Sequence, residues 1–90
     1  MKFEWDGAKS KANREKHGID FETARELWLD EDRIEIEAPH PVEKRNIVIA
    51  KLQGRLWTAV YTIRSNTIRI ISVRRSREKE EKLYGKAKTG

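Results

Sequence analysis

The sequence contains no cysteine, so disulfide staples and thiolate metal sites are both excluded. That absence fits a reducing compartment, and the cytoplasm is the expected location. No apolar run approaches the roughly 18 residues of a membrane span. The opening stretch MKFEWDGAKS has no apolar signal-peptide segment. Repeats and low-complexity tracts are missing, so one domain is expected over 1–85, with a flexible tail at 86–90. Glycine-rich phosphate loops, nucleophile elbows and zinc or EF-hand ligand spacings are all absent, so no metal and no cofactor is expected.

What is present is charge. Charged residues are 39% of the 90, against a usual level of about 25%, yet 37% are hydrophobic, enough for one small core. Residues 1–45 carry nine Lys/Arg and twelve Asp/Glu, a net of −3. Residues 46–90 carry eleven Lys/Arg and three Asp/Glu, a net of +8, and those three acids all follow Arg75. A cationic strand-forming half suggests a polyanion partner, with plain solubility charge as the alternative.

Periodicity gives the elements. KFEW is a short strand, Asp6 caps a helix over about 7–16, and Gly18 ends it. Asp20 caps a second helix that places Phe21, Ala24, Leu27 and Trp28 on one face. RIEIEA alternates as a half-wet strand. KRNIVIAKL, RLWTAVYTIR and TIRIISVRR then form a meander through turns at QG and SN. Ser76 is a suitable N-cap for a last helix, and Gly85 should stop it. The order β-α-α-β-β-β-β-α predicts an α+β domain around a twisted antiparallel sheet with helices packed on it.

Strict alternation in TIRIISVRR sends Ile68, Ile70, Ser72 and Arg74 to one face and Arg69, Ile71, Val73 and Arg75 to the other. Guanidiniums on rigid strands suit phosphate, and the following helix start at Ser76 would add amide donors. The plain alternative is that Arg74 and Arg75 pair with Glu78, Glu80 or acids of the first half. Lys16-His17 ends a helix, and histidine is the default proton carrier, although a histidine before glycine is often only a capping residue. His40, between prolines, is the weaker of the two histidines. Glu43 and Arg45 start a strand on one side of it, as a base beside a phosphate or as an ordinary ion pair. Trp5, Trp28 and Trp57 read as core.

Three stretches together resemble one family. FEWDGAKSKANREKHGIDFETARELW, then EKR, then VYTIRSNTIRIISVRRSREKEEKLY are similar to the BrnT toxins of bacterial type II toxin–antitoxin modules. The resemblance covers about residues 3–84, and only Val73, often Ala in such sequences, stands out. It implies a RelE-like fold with helices on one side of the sheet, and a metal-independent ribonuclease that stops translation. It implies functional roles at Lys16, His17, Glu43, Arg45, Tyr61, Arg64, Arg74, Arg75 and Tyr84. It also implies a BrnA-type ribbon-helix-helix antitoxin as partner, with DNA bound only through that antitoxin.

Metal-free cleavage needs a base for the 2′-hydroxyl, cations for the phosphorane and an acid for the 5′-oxygen. The expectation is that Arg64 and Arg74 or Arg75 grip the phosphate, with Arg45 assisting. Glu43, His17 and Lys16 would then share the proton transfers. Tyr61, Arg69, Ser76 and Tyr84 are expected to bind the substrate. A non-catalytic RNA- or DNA-binding module, or a regulatory partner whose basic face receives an acidic antitoxin segment, are the competing readings.

Overall fold

The computed structural model describes residues 1–89. Strands β1 (Lys2–Glu4), β2 (Ile34–Ala38), β3 (Arg45–Leu52), β4 (Arg55–Arg64) and β5 (Thr67–Arg75) form one sheet in the order β1-β5-β4-β3-β2. Helices α1 (Gly7–His17) and α2 (Phe21–Ala24) lie between β1 and β2, and α3 (Glu78–Thr89) follows β5. The expected element order holds. Neighbouring strands pair antiparallel except β1 with β5, which run parallel; the helical hairpin carries the chain from β1 at one edge to β2 at the other.

The caps explain the helical hairpin. The Asp6 carboxylate accepts the amides of Ala8 and Lys9, and Gly18 sits at φ 81° with its amide on the Arg14 carbonyl. Asp20 accepts from the Thr23 amide, and α2 then tightens into a 3-10 segment at Arg25–Leu29. Phe21, Ala24, Leu27 and Trp28 are all buried against Val48, Ala50, Trp57, Ala59, Tyr61, Ile68, Ile70 and Val73. Two buried polar residues lock α1 in place. The Ser10 hydroxyl accepts the Phe21 amide, while Asn13 donates to the Ile19 carbonyl and accepts from the Val73 amide. Both turns of the meander have two residues at positive φ, Gln53-Gly54 and Ser65-Asn66, the hand that matches strand twist.

Two features of the sheet decide where the arginines go. First, the β4–β5 register passes from Val60↔Ser72 to Tyr61↔Ile70, so Ile71 is an extra residue, a β-bulge. It breaks the strict alternation: Ile68, Ile70 and Val73 all enter the α1-side core, and Arg69, Ser72 and Arg74 share the opposite face. Second, α3 takes that opposite face, not the α1 side that the resemblance implied. Its Glu80 reaches Thr58 and Arg74, and its Tyr84 reaches Asp30 just ahead of β2. The helix begins one residue later than expected and continues through Gly85 to Thr89, so residues 86–89 of the expected tail are helical. Gly90 lies outside the described residues.

Candidate active site

The junction of β5 and α3 is an anion cradle, as its sequence suggested, but the anion belongs to the chain itself. Arg74 donates from both terminal nitrogens to the two Glu80 oxygens, at 2.7 and 2.8 Å. The same carboxylate accepts the Arg77 amide at 2.7 Å and the Thr58 hydroxyl at 3.0 Å. Glu80 thus satisfies the first free amide of α3 from within, three residues on, in the manner of a capping box. Ser76 turns away from the helix start and bonds Thr58. The Arg74 hydrogen bonds and the Arg77 amide hold the Glu80 carboxyl down to about 2. Arg74 and Ser76 are held as structural parts of this junction.

A second group lies at the far end of the sheet. Register places Arg45, Thr62 and Arg69 in one cross-strand row on the α3 face, with Arg64 one row further out. Glu43 sits 3.0 Å from the Arg64 guanidinium and 3.9 Å from that of Arg45, and Arg69 pairs with Glu4 at 2.9 Å. The Arg64 hydrogen bond, followed by the charges of Arg64 and Arg45, keeps the Glu43 carboxyl below its usual range. A carboxylate held ionised in this way is a weak base.

The third group gathers where α1 ends beside the β3–β4 turn. His17, Gly18, Leu52, Gln53, Arg55 and Trp57 line a cavity of about 350 Å³. The Arg75 guanidinium lies over the same Trp57 ring, 5.5 Å from its centroid, and Arg75 faces Trp57 across the β4–β5 ladder. His17 is half-buried, and Lys16 precedes it in the last turn of α1. Among the described residues no carboxylate lines the cavity. A phosphate entering here would meet cations that are not already neutralised.

These groups are far apart. Trp57 and Arg64 are seven residues apart on β4, roughly 24 Å at about 3.4 Å per residue. Arg75 projects on the α1 side of the sheet and Arg64 on the other. No single phosphate touches Arg64 and Arg75 together, so the expected eleven-residue constellation divides. His17 and Arg75 stay together, with exposed Lys16 next to His17 in the chain but not lining the cavity; Glu43, Arg45, Arg64 and Arg69 form a separate patch; Arg74 and Ser76 are tied up at the α3 junction.

The two tyrosines expected to bind substrate are buried. Tyr61 is 3% exposed, packs edge-on against Trp28 and donates to Glu35. Burial, then that hydrogen bond, raises its hydroxyl well above the usual range. Tyr84 is 4% exposed and donates to Asp30 at 2.8 Å, with its hydroxyl pushed up to about 12 by burial and by that carboxylate. Sequence reasoning missed Arg55 and Gln53 at the cavity, whereas the Arg74–Glu80 pair is the plain alternative it gave for the junction. The signal for Arg55 was present, since a two-residue QG turn makes it the first residue of β4.

No curated protein matches the chain. Among the described residues no helix is long and apolar enough to cross a membrane. A family model described as ribonuclease toxin, BrnT, of type II toxin–antitoxin system matches residues 5–80. That span takes in α1, the whole meander, the His17 cavity and the Arg74–Glu80 junction. The chain therefore belongs to the BrnT family of ribonuclease toxins of type II toxin–antitoxin systems.

Proposed function

We propose that this protein is a cytoplasmic toxin that cleaves RNA without a metal, using the cavity at the end of α1, and so inhibits translation. The observation that carries this reading is the carboxylate-free cavity bringing His17 and Arg55 beside the Trp57–Arg75 stack. His17 accepts the proton of a ribose 2′-hydroxyl, and the 2′-oxygen attacks the adjacent phosphorus. Arg55 and Arg75 stabilise the extra negative charge on the phosphorane. The bond from phosphorus to the 5′-oxygen breaks, and Lys16 delivers a proton to that oxygen. The products are a 2′,3′-cyclic phosphate and a free 5′-hydroxyl. Among the lining residues only His17 is of a usual metal-ligand type, so the route is drawn with side chains alone. The natural partner on this reading is a BrnA-type ribbon-helix-helix antitoxin, through which the pair would reach DNA.

The test is incubation of the full chain with an unstructured RNA in EDTA, with analysis of the termini produced. Cyclic phosphate and 5′-hydroxyl ends are expected. Cleavage that appears only on adding magnesium would overturn the route. Salt-sensitive RNA binding with no product at any time would instead favour a non-catalytic basic module.

A further inference from the structure

The α3 helix covers only part of its face of the sheet. Beneath it lies the cross-strand row of Ile34, Ile49, Thr58 and Arg74, with Ile49 and Thr58 fully buried. The next row, Ile36, Ile47 and Val60, is half-buried, and Ile71 at the bulge is as well. Beyond it comes the row of Arg45, Thr62 and Arg69, rimmed by Arg64. An aliphatic strip bordered by guanidiniums is thus left without a helix over it.

The polar atoms along this border are under-used. Thr62 is 2% exposed, and its hydroxyl has no hydrogen-bond partner among the described residues. The Arg45 Nε is buried and likewise unpartnered, its nearest carboxylate oxygen being 3.9 Å away on Glu43. A guanidinium has five N–H donors. Arg64 and Arg69 each spend one on a carboxylate, and side-chain exposures of 57% and 30% leave others open. Buried polar groups normally find partners, so an unpaired hydroxyl and an unpaired guanidinium nitrogen in one row point to an acceptor supplied from outside.

We infer that this half of the α3 face is a docking surface for an acidic, aliphatic segment of a partner protein. Its carboxylates would take the free donors of Arg45, Arg64 and Arg69, and its aliphatic side chains would cover Ile36, Ile47 and Val60. Charge complementarity and the apolar strip together favour a protein over RNA, which would leave the isoleucines uncovered. The patch lies on the opposite face and at the opposite end of the sheet from the His17 cavity, so a partner held here leaves that cavity open. The inference rests on the toxin–antitoxin reading of the chain but not on the His17 chemistry.

The experiment uses the full chain and the protein encoded by the reading frame next to its own, with binding followed by calorimetry. The triple charge reversal Arg45→Glu, Arg64→Glu, Arg69→Glu is expected to weaken the complex about a hundredfold or more. Methyl NMR of the unaltered chain needs no variant. Adding the partner should shift Ile36, Ile47, Val60 and Ile71 and spare the methyls of Leu52 at the cavity. No complex with the wild-type chain, an unchanged affinity in the triple variant, or shifts confined to Leu52 would each overturn the inference. Shifts of the same four residues by a ten-nucleotide single-stranded RNA, but not by the protein, would assign the face to RNA and overturn it too. RNA cleavage by the free chain, measured alongside, reports on the His17 chemistry separately from docking.

Discussion

Arg74 and Arg75 are adjacent in the chain and have opposite fates. Arg74 lies on the α3 face, bonded through both terminal nitrogens to Glu80, with 27% of its side chain exposed. Arg75 lies on the other face, stacked on Trp57 beside a cavity that offers it no carboxylate. Both guanidiniums are charged, so charge alone does not separate a binding residue from a structural one. The difference is the counter-ion. A cation already matched by a partly buried carboxylate contributes to the fold, while one resting on an aromatic ring keeps its donors for a ligand.

The largest effects are expected at the cavity. His17→Ala should slow RNA cleavage by about a hundred- to ten-thousandfold, the usual worth of a general base. Arg75→Ala should follow at about a hundredfold, whereas Arg64→Ala should leave the single-turnover rate within about threefold, having no transition-state contact to lose. Equal losses for Arg64 and Arg75 would erase the distinction between the two ends of the sheet.

Glu80→Gln probes the structural side. Losing the charged partner of Arg74 should cost about 2–3 kcal/mol in urea unfolding, given that the pair is only partly solvent-exposed. The sign with pH follows from the carboxyl being held at about 2, below its ordinary 4.5. Its stabilisation is complete above about pH 4.5 and is lost as pH falls toward 2. The variant should therefore show a flatter acid limb than the wild type; identical acid limbs would mean that Glu80 does not carry it.

The smallest effect is expected at Glu43→Gln. This carboxylate joins exposed Arg64 and half-buried Arg45 in a partly solvent-screened cluster. The urea midpoint should not move measurably, and cleavage should persist. A large fall in activity there would restore Glu43 as a base and shift the candidate site to the far end of the sheet.

Much of the fold is legible in the residues. Asp6, Gly18 and Asp20 specify the helical hairpin because their roles depend on local hydrogen bonds and local φ. The QG and SN turns fix the meander for the same reason. The site is less legible. The Ile71 bulge reverses the facing of every residue after it, and a period-two reading has no means of detecting one extra residue. Gly85 was expected to stop α3, yet the helix runs on, since a single glycine costs only about 1 kcal/mol within a helix.

By itself the sequence determined the element order, the caps, the tight turns and a cationic strand-rich half, all of them set by neighbours within a few residues. Only the tertiary structure decided which cations are free. The partner of Arg74 is six residues away, but those of Arg64 and Arg69 are 21 and 65 residues away. Such pairings depend on sheet register, on the bulge and on the face that α3 covers, and these emerge only once the strands are side by side.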